Sequence, residues 1–153
     1  MTLAPVATLQ SHQFVQGLNS KQLESLAAHA HQVEFEENEI VLLDGQHSSS
    51  FYLLVSGSVA IELRAARYAV CVEAIGPGQV FGWSALLDHQ DTLFQVRARE
   101  QTVALRIEGP VLQRLCREDP LLGTEILQRT LQVVAGRVKA TELRFAEMCG
   151  IKV

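Results

Sequence analysis

The stretch "FYLLVSGSVAIEL", residues 51–63, decides how the chain is to be read. An apolar run from Phe51 to Val55 ends in a turn at Ser56-Gly57-Ser58. Val59, Ile61 and Leu63 then alternate with Ala60, Glu62 and Arg64. A run, a turn and a period of two describe two β-strands in succession. The period extends upstream, where Val33 and Phe35 alternate with Glu34 and Glu36 and "IVLLDG" (40–45) closes on an Asp-Gly turn. It extends downstream through Tyr68, Val70 and Val72 until Gly76-Pro77-Gly78 breaks it, and resumes in "QVRAR" (95–99) and "TVALRI" (102–107). Short strands with turn signals at roughly 8–12-residue spacing predict an all-β sandwich or barrel.

Helices flank this β region. The first thirty residues read as helical, with Asn19-Ser20 as an N-cap and Gln22 placed for a capping box, followed by Leu23, Leu26, Ala27 and Ala30 at helical spacing. Gly109-Pro110 opens a short helix and Asp119-Pro120 a long one, since proline suits the first helical turn. Along the long helix Leu127, Leu131, Val134, Val138, Thr141, Phe145 and Met148 step alternately by four and three, a heptad seam. At ~1.5 Å per residue such a helix extends ~40 Å, more than one small barrel needs for its own cover. The seam therefore predicts a homodimer through the C-terminal helix.

The bulk numbers narrow the function class. The chain has 153 residues, 48% of them hydrophobic and 20% charged, the composition of a globular protein with a proper core. Thirteen Lys and Arg against seventeen Asp and Glu leave a formal charge of −4, against a nucleic-acid surface. The pairs Arg64/Arg67 and Arg97/Arg99 read as solvated strand edges. The N-terminus has no basic-then-apolar leader pattern, and no apolar run approaches the ~18 residues of a membrane span. Cys71, Cys116 and Cys149, with no C-x-x-C, read as reduced thiols, and the expected location is the cytoplasm. Of the five histidines, His12, His29, His31, His47 and His89, only His29 and His31 are close, with no matching carboxylate arrangement downstream for a metal site. No nucleophile-base grouping, P-loop or paired carboxylates stand out, so an enzyme is not expected.

The order of helix, Gly-punctuated β-roll, Gly-led insert, "VRA" strand and long amphipathic helix resembles the cyclic-nucleotide-binding domain of the catabolite activator (Crp/Fnr) family. The resemblance runs from about Leu9 to Glu147 and rests on "FYLLVSGSVAIEL", "IGPGQVFG" (75–82), "ALLD" (85–88) and "VRA" (96–98) at the family's spacing. It implies a mainly β fold with flanking helices: a double-stranded β-helix, or jelly roll, over about 33–107, with C-terminal helices over 110–148, as one domain spanning 1–153. With the chain stopping at Val153, the expectation is that no DNA-binding domain follows; the alternative is a sensor domain excised from a longer transcription regulator.

The family's phosphate-binding cassette, as the resemblance implies it, uses backbone N–H groups behind a glycine. A Glu directly after that glycine holds the ribose, and an Arg about ten residues on holds the phosphate. Here the insert is "GQVFGWSALLDHQDTLFQVRARE" (78–100), and the side chains differ. After Gly82 the Glu place holds Trp83, the Arg place holds Thr92 with Asp91 beside it, and the next two places hold Leu93 and Phe94. The pattern resembles a subgroup of small stand-alone bacterial proteins of this fold that carry Gly-Trp-Ser there. The candidate pocket is therefore Gly82, Trp83, Ser84, Ala85, Thr92, Leu93 and Phe94. Its ligand is cAMP, cGMP or another small molecule, or it has none.

Two functional expectations follow. One is a non-catalytic sensor with a divergent pocket, in which Ser84 and Thr92 add hydroxyls and Trp83 stacks on a ring; Arg97 and Arg99 would replace the lost charge only if they faced the pocket, whereas the resemblance implies that the "VRA" arginine faces away. The other is a ligand-free dimeric interaction module with a protein partner and an indole filling the pocket.

Overall fold

The computed structural model describes residues 2–88 and 91–153; His89 lies outside the described residues. Among the described residues the strands form two antiparallel sheets. The first, in spatial order, contains β1 (Thr2–Leu3), β2 (His31–Phe35), β9 (Thr102–Glu108), β4 (Ser50–Ser56) and β7 (Val80–Phe81). The second contains β3 (Ile40–Leu42), β8 (Phe94–Ala98), β5 (Val59–Arg64) and β6 (Ala69–Ile75). Together they make the β-roll of the jelly-roll fold, with helices on the outer face of the first sheet.

The unbroken apolar run of β4 follows from its position between β9 and β7, with both faces covered. Phe51 and Leu53 join the core under the helices, whereas Tyr52 and Leu54 point into the roll, as strand alternation requires. In β5, Val59 and Ile61 face the roll interior and Glu62 lies on the other side, against Gln95 and Arg97. The turn between the strands does not make a hairpin: it passes the chain from one sheet to the other. Gly57 has φ +82°, and a Cβ there would sit 2.5 Å from the Gln101 carbonyl oxygen and 2.8 Å from Thr102 Cα. Only glycine fits a left-handed backbone at that distance from fixed main chain.

The helical layer comprises α1 (Val6–Gln10), a 3-10 turn at Gln13–Val15, α2 (Ser20–Ala27), α3 (Gly109–Glu118) and α4 (Pro120–Met148). The N-terminal region is not wholly helical, because Thr2 and Leu3 pair with Gln32 and His31 in the sheet. The capping box of α2 is present: Gln22 N–H donates to Asn19 Oδ1 at 2.9 Å, and Asn19 N–H donates to Gln22 Oε1 at 3.0 Å. Leu9, Phe14, Leu26, Leu112, Leu122 and Ile126 fill the space between helices and sheet.

Two stripes divide α4. Leu122, Ile126, Thr130, Val133 and Arg137 face the roll. The heptad seam lies about one residue further round, near 100°. Along it Leu127, Leu131, Val138, Thr141, Phe145 and Met148 are exposed and Val134 is half-buried. Arg129 ties the helix to the N-terminal segment, donating from Nη1 to the Phe14 carbonyl and pairing with Glu125 at 3.1 Å. Among the described residues no helix is long and apolar enough to cross a membrane.

Candidate functional site

β7 delivers the chain to Gly82, which adopts a left-handed conformation (φ +77°, ψ 26°) and opens a single 3-10 turn over Trp83–Leu86. A Cβ on Gly82 would lie 2.5 Å from the Ser50 carbonyl oxygen and 3.1 Å from the Tyr52 ring, so the insert can leave the sheet here only through glycine. Within the turn, the N–H groups of Ala85 and Leu87 are spent on the carbonyls of Gly82 and Ser84. The turn rests on α3: Gln113 Nε2 donates to the Ala85 carbonyl at 2.9 Å, and Gly109 passes close under Ala85.

Of the seven candidate pocket residues, Gly82, Trp83, Ser84, Thr92 and Phe94 line one cavity, together with Leu42, Ile61, Phe81, Val96 and Arg137. Two are placed otherwise. Ala85 is buried beneath the turn towards α3, and Leu93 is 75% exposed, turned away from the cavity by the strand alternation that points Phe94 inward. The cavity measures about 40 Å³. That is room for a few water molecules and a small fraction of the ~300 Å³ or more that ligand pockets need. Aromatic side chains take up the interior. Tyr52 and Phe81 stack with ring centroids 4.7 Å apart, Phe35 meets Tyr52 edge-on at 6.1 Å, and half-buried Phe94 packs on the same cluster. Trp83 packs against the core under the helices as well as lining the cavity.

The hydroxyls here are already engaged. Ser84 Oγ accepts from Ser48 N–H at 3.4 Å, and Ser48 Oγ donates to the Ser50 carbonyl at 2.7 Å. Thr92 Oγ1 accepts from Phe94 N–H at 3.1 Å, fixing the start of β8. Arg97 does not replace the missing charge: its Nε donates to Glu62 Oε2 at 3.1 Å on the outer face of the second sheet, and Arg99 is exposed in the following turn. Among the described residues that line the cavity the one charged side chain is Arg137, from α4. Its Nε forms an ion pair with Glu73 Oε2 on β6 at 2.7 Å. Burial pulls the Arg137 pKa below the ordinary arginine range while the Glu73 carboxylate pushes it back up; the group stays cationic.

Arg137 and Glu73 are residues that sequence reasoning missed. The available signal was the stripe 122, 126, 130, 133, 137, which places one arginine on an otherwise uncharged helix face. Among the described residues no group of three or more His, Cys, Asp and Glu stands together to hold a metal ion.

With this geometry in hand, the chain is similar in fold to several solved structures. It superposes on the c-di-GMP responsive global regulator CLP of Xanthomonas campestris with a TM-score of 0.76 at 20% identity, covering 88% of this chain and 66% of that one. It superposes on the regulatory subunit of a cAMP-independent protein kinase A from Trypanosoma brucei with a TM-score of 0.72 at 19% identity, covering 94% of this chain and 50% of that one. In sequence it is 32% identical over 98 residues to the potassium channel AKT6 of Arabidopsis thaliana, covering 64% of this chain and 11% of the channel. The chain thus spans only about a tenth of that relative's length. Residues 32–119, more than half of the chain, match the cyclic nucleotide-binding domain family model. From β2 to the cap of α4, the chain belongs to the cyclic nucleotide-binding domain family.

Proposed function

We propose that the chain is a non-catalytic, cytoplasmic regulatory domain whose phosphate-binding cassette has diverged so that its interior does not hold cAMP or cGMP in the family's manner. The carrying observation is the free space of about 40 Å³ behind Gly82, bounded by Trp83 and Phe94. The hydroxyls of Ser84 and Thr92 serve the fold, and the cassette's Glu and Arg places hold Trp83 and Thr92. Of the two fold neighbours described above, one is by its name c-di-GMP responsive and the other is the regulatory subunit of a cAMP-independent kinase. This agrees with a scaffold on which ligand choice varies. Output runs through α4, whose exposed seam pairs with a second copy, and no direct contact with nucleic acid is part of the reading.

Titration with cAMP and cGMP, followed by Trp83 fluorescence and by calorimetry, tests it. The expected result is no saturable change up to millimolar nucleotide; saturation at micromolar concentration overturns the proposal. A ligand-free interaction module is the second reading, favoured by the same exposed seam. It is distinguished by a protein partner whose binding is lost when the seam is charged while no small molecule alters it.

A further inference from the structure

Arg137 lines two spaces. One is the small interior cavity; the other is a groove of about 600 Å³ between α4, the Gln13–Val15 turn and the loop entering β7. That size falls among ligand pockets. The guanidinium carries five N–H donors. Its side chain is 10% exposed, the ion pair with Glu73 engages Nε, and the guanidinium makes no other hydrogen bond or ion pair with the described residues. Merely docking the helix would be served as well by an apolar residue, since a buried ion pair seldom adds net stability. A buried cation with donors unspent is instead suited to accept an oxyanion.

Gly136 points the same way independently. It sits inside the 29-residue helix α4, where glycine costs ~1 kcal/mol relative to alanine. A Cβ there would meet nothing within 4 Å, so no packing within the chain requires glycine. Nor does the seam require it, because residue 136 lies ~200° round the helix from Val134 and Val138 at ~100° per residue. What Gly136 does is widen the groove beside Arg137. The side chains of Gln13 and Gln132 also line the groove and make no hydrogen bond with the described residues.

We propose that this groove binds a small organic oxyanion, a carboxylate or a phosphate ester, whose acid group takes Arg137 from Glu73 while the Gln13 and Gln132 amides hydrogen-bond the remainder. The proposal rests on the reading that the cassette interior is closed to cyclic nucleotides, and it names the ligand class that a sensor of this kind takes instead.

Succinate and adenosine 5′-monophosphate are the probes, titrated into the full chain by calorimetry with Trp83 fluorescence in parallel. Saturable submillimolar binding of at least one is expected, and which of the two binds separates carboxylate from phosphate. Arg137→Gln should weaken that binding by about tenfold or more, the scale of one charge-assisted contact. Glu73→Gln removes the competing carboxylate and should strengthen it several-fold, which a purely structural ion pair would not do. Gly136→Leu, placed in open space by a good helix former, should keep the fold and weaken binding by about tenfold; it decides the matter if Arg137→Gln unfolds. Absence of binding of both probes at millimolar concentration, or unchanged affinity in Gly136→Leu, overturns the proposal. Micromolar cAMP binding that is equal in wild type and Gly136→Leu would instead overturn the closed-interior reading and leave the groove to the two probes.

Discussion

Replacing Trp83 by glutamate and Thr92 by arginine, singly and together, restores the two side chains that the cassette places expect. Trp83 is half-buried against the core under the helices. A full Trp-to-Ala loss is ~3–5 kcal/mol, so the exchange should cost about 2 kcal/mol. At ~2–4 °C per kcal/mol for a chain of this size, the melting temperature should fall by about 4–8 °C. Thr92→Arg removes the acceptor for Phe94 N–H, a further ~0.5–1.5 kcal/mol. Against this, two charge-assisted contacts to a cyclic nucleotide contribute roughly 1.5–3 kcal/mol each. Together, and with the Trp83 indole gone from the wall of the interior cavity, they should tighten cAMP binding by about two to four orders of magnitude. Calorimetric titration of wild type, both single variants and the pair forms a thermodynamic cycle. Circular dichroism confirms that each protein is folded. Improvement should be largest in the pair. If the pair is folded and binds cAMP no better than wild type, polar side chains are not what is missing. The Tyr52–Phe81 stack and Phe94, which the exchanges leave in place, would then close the interior without Trp83, and the assignment of Trp83 and Thr92 to the cassette places would lose its force.

Two further outcomes follow from other parts of the molecule. Leu131 is 67% exposed on the seam of α4; burying it in a dimer contributes ~1.5–3 kcal/mol per copy. Leu131→Asp should therefore shift the protein to monomer in light scattering across micromolar concentrations, and a wild type that is already monomeric there refutes the seam. His12 is buried, accepting from Phe14 N–H through Nδ1 and donating from Nε2 to the Leu54 carbonyl. Burial holds its pKa below the ordinary value of about 6.5, outweighing that carbonyl bond. The unfolded chain then binds the proton more readily than the folded one. Its stability contribution is full above about pH 6.5 and is lost as pH falls through the window beneath it. Denaturant midpoints should fall from pH 7.5 to 5, and His12→Asn should flatten that slope; an unchanged slope refutes the assignment.

The sequence made the strands legible because burial imposes alternation: Val59 and Ile61 are buried in the roll while Glu62 and Arg64 lie on the other side. The helix starts were legible for the same local reason, since Asn19 and Asp119 accept N–H groups within three residues of themselves. Four things were not. Nothing local tells that the Gly57 turn changes sheets, because that depends on where β9 runs. The inward set of Phe94 and outward set of Leu93 depend on the register of β8 against β5. The filling of the interior by Tyr52 and Phe81 needs β4 and β7 as neighbours. Arg137 joins the pocket from 45 residues beyond Thr92, across a helix docking that no spacing rule encodes.

The docking of α4 carries a liability as well as a signal. Among the described residues β6 is the longest strand with an unpaired side, since it bonds only to β5, and α4 is the helix packed against it. β1 and β7, at the ends of the other sheet, are two residues each and offer little template. Open strand edges recruit other chains into intermolecular sheets. Any event that lifts α4, whether a ligand drawing Arg137 from Glu73 or a substitution in the roll-facing stripe, also uncovers the end of that strand around Glu73 and Ile75. The strength of this helix contact therefore sets a ceiling on how far the domain can open before it aggregates.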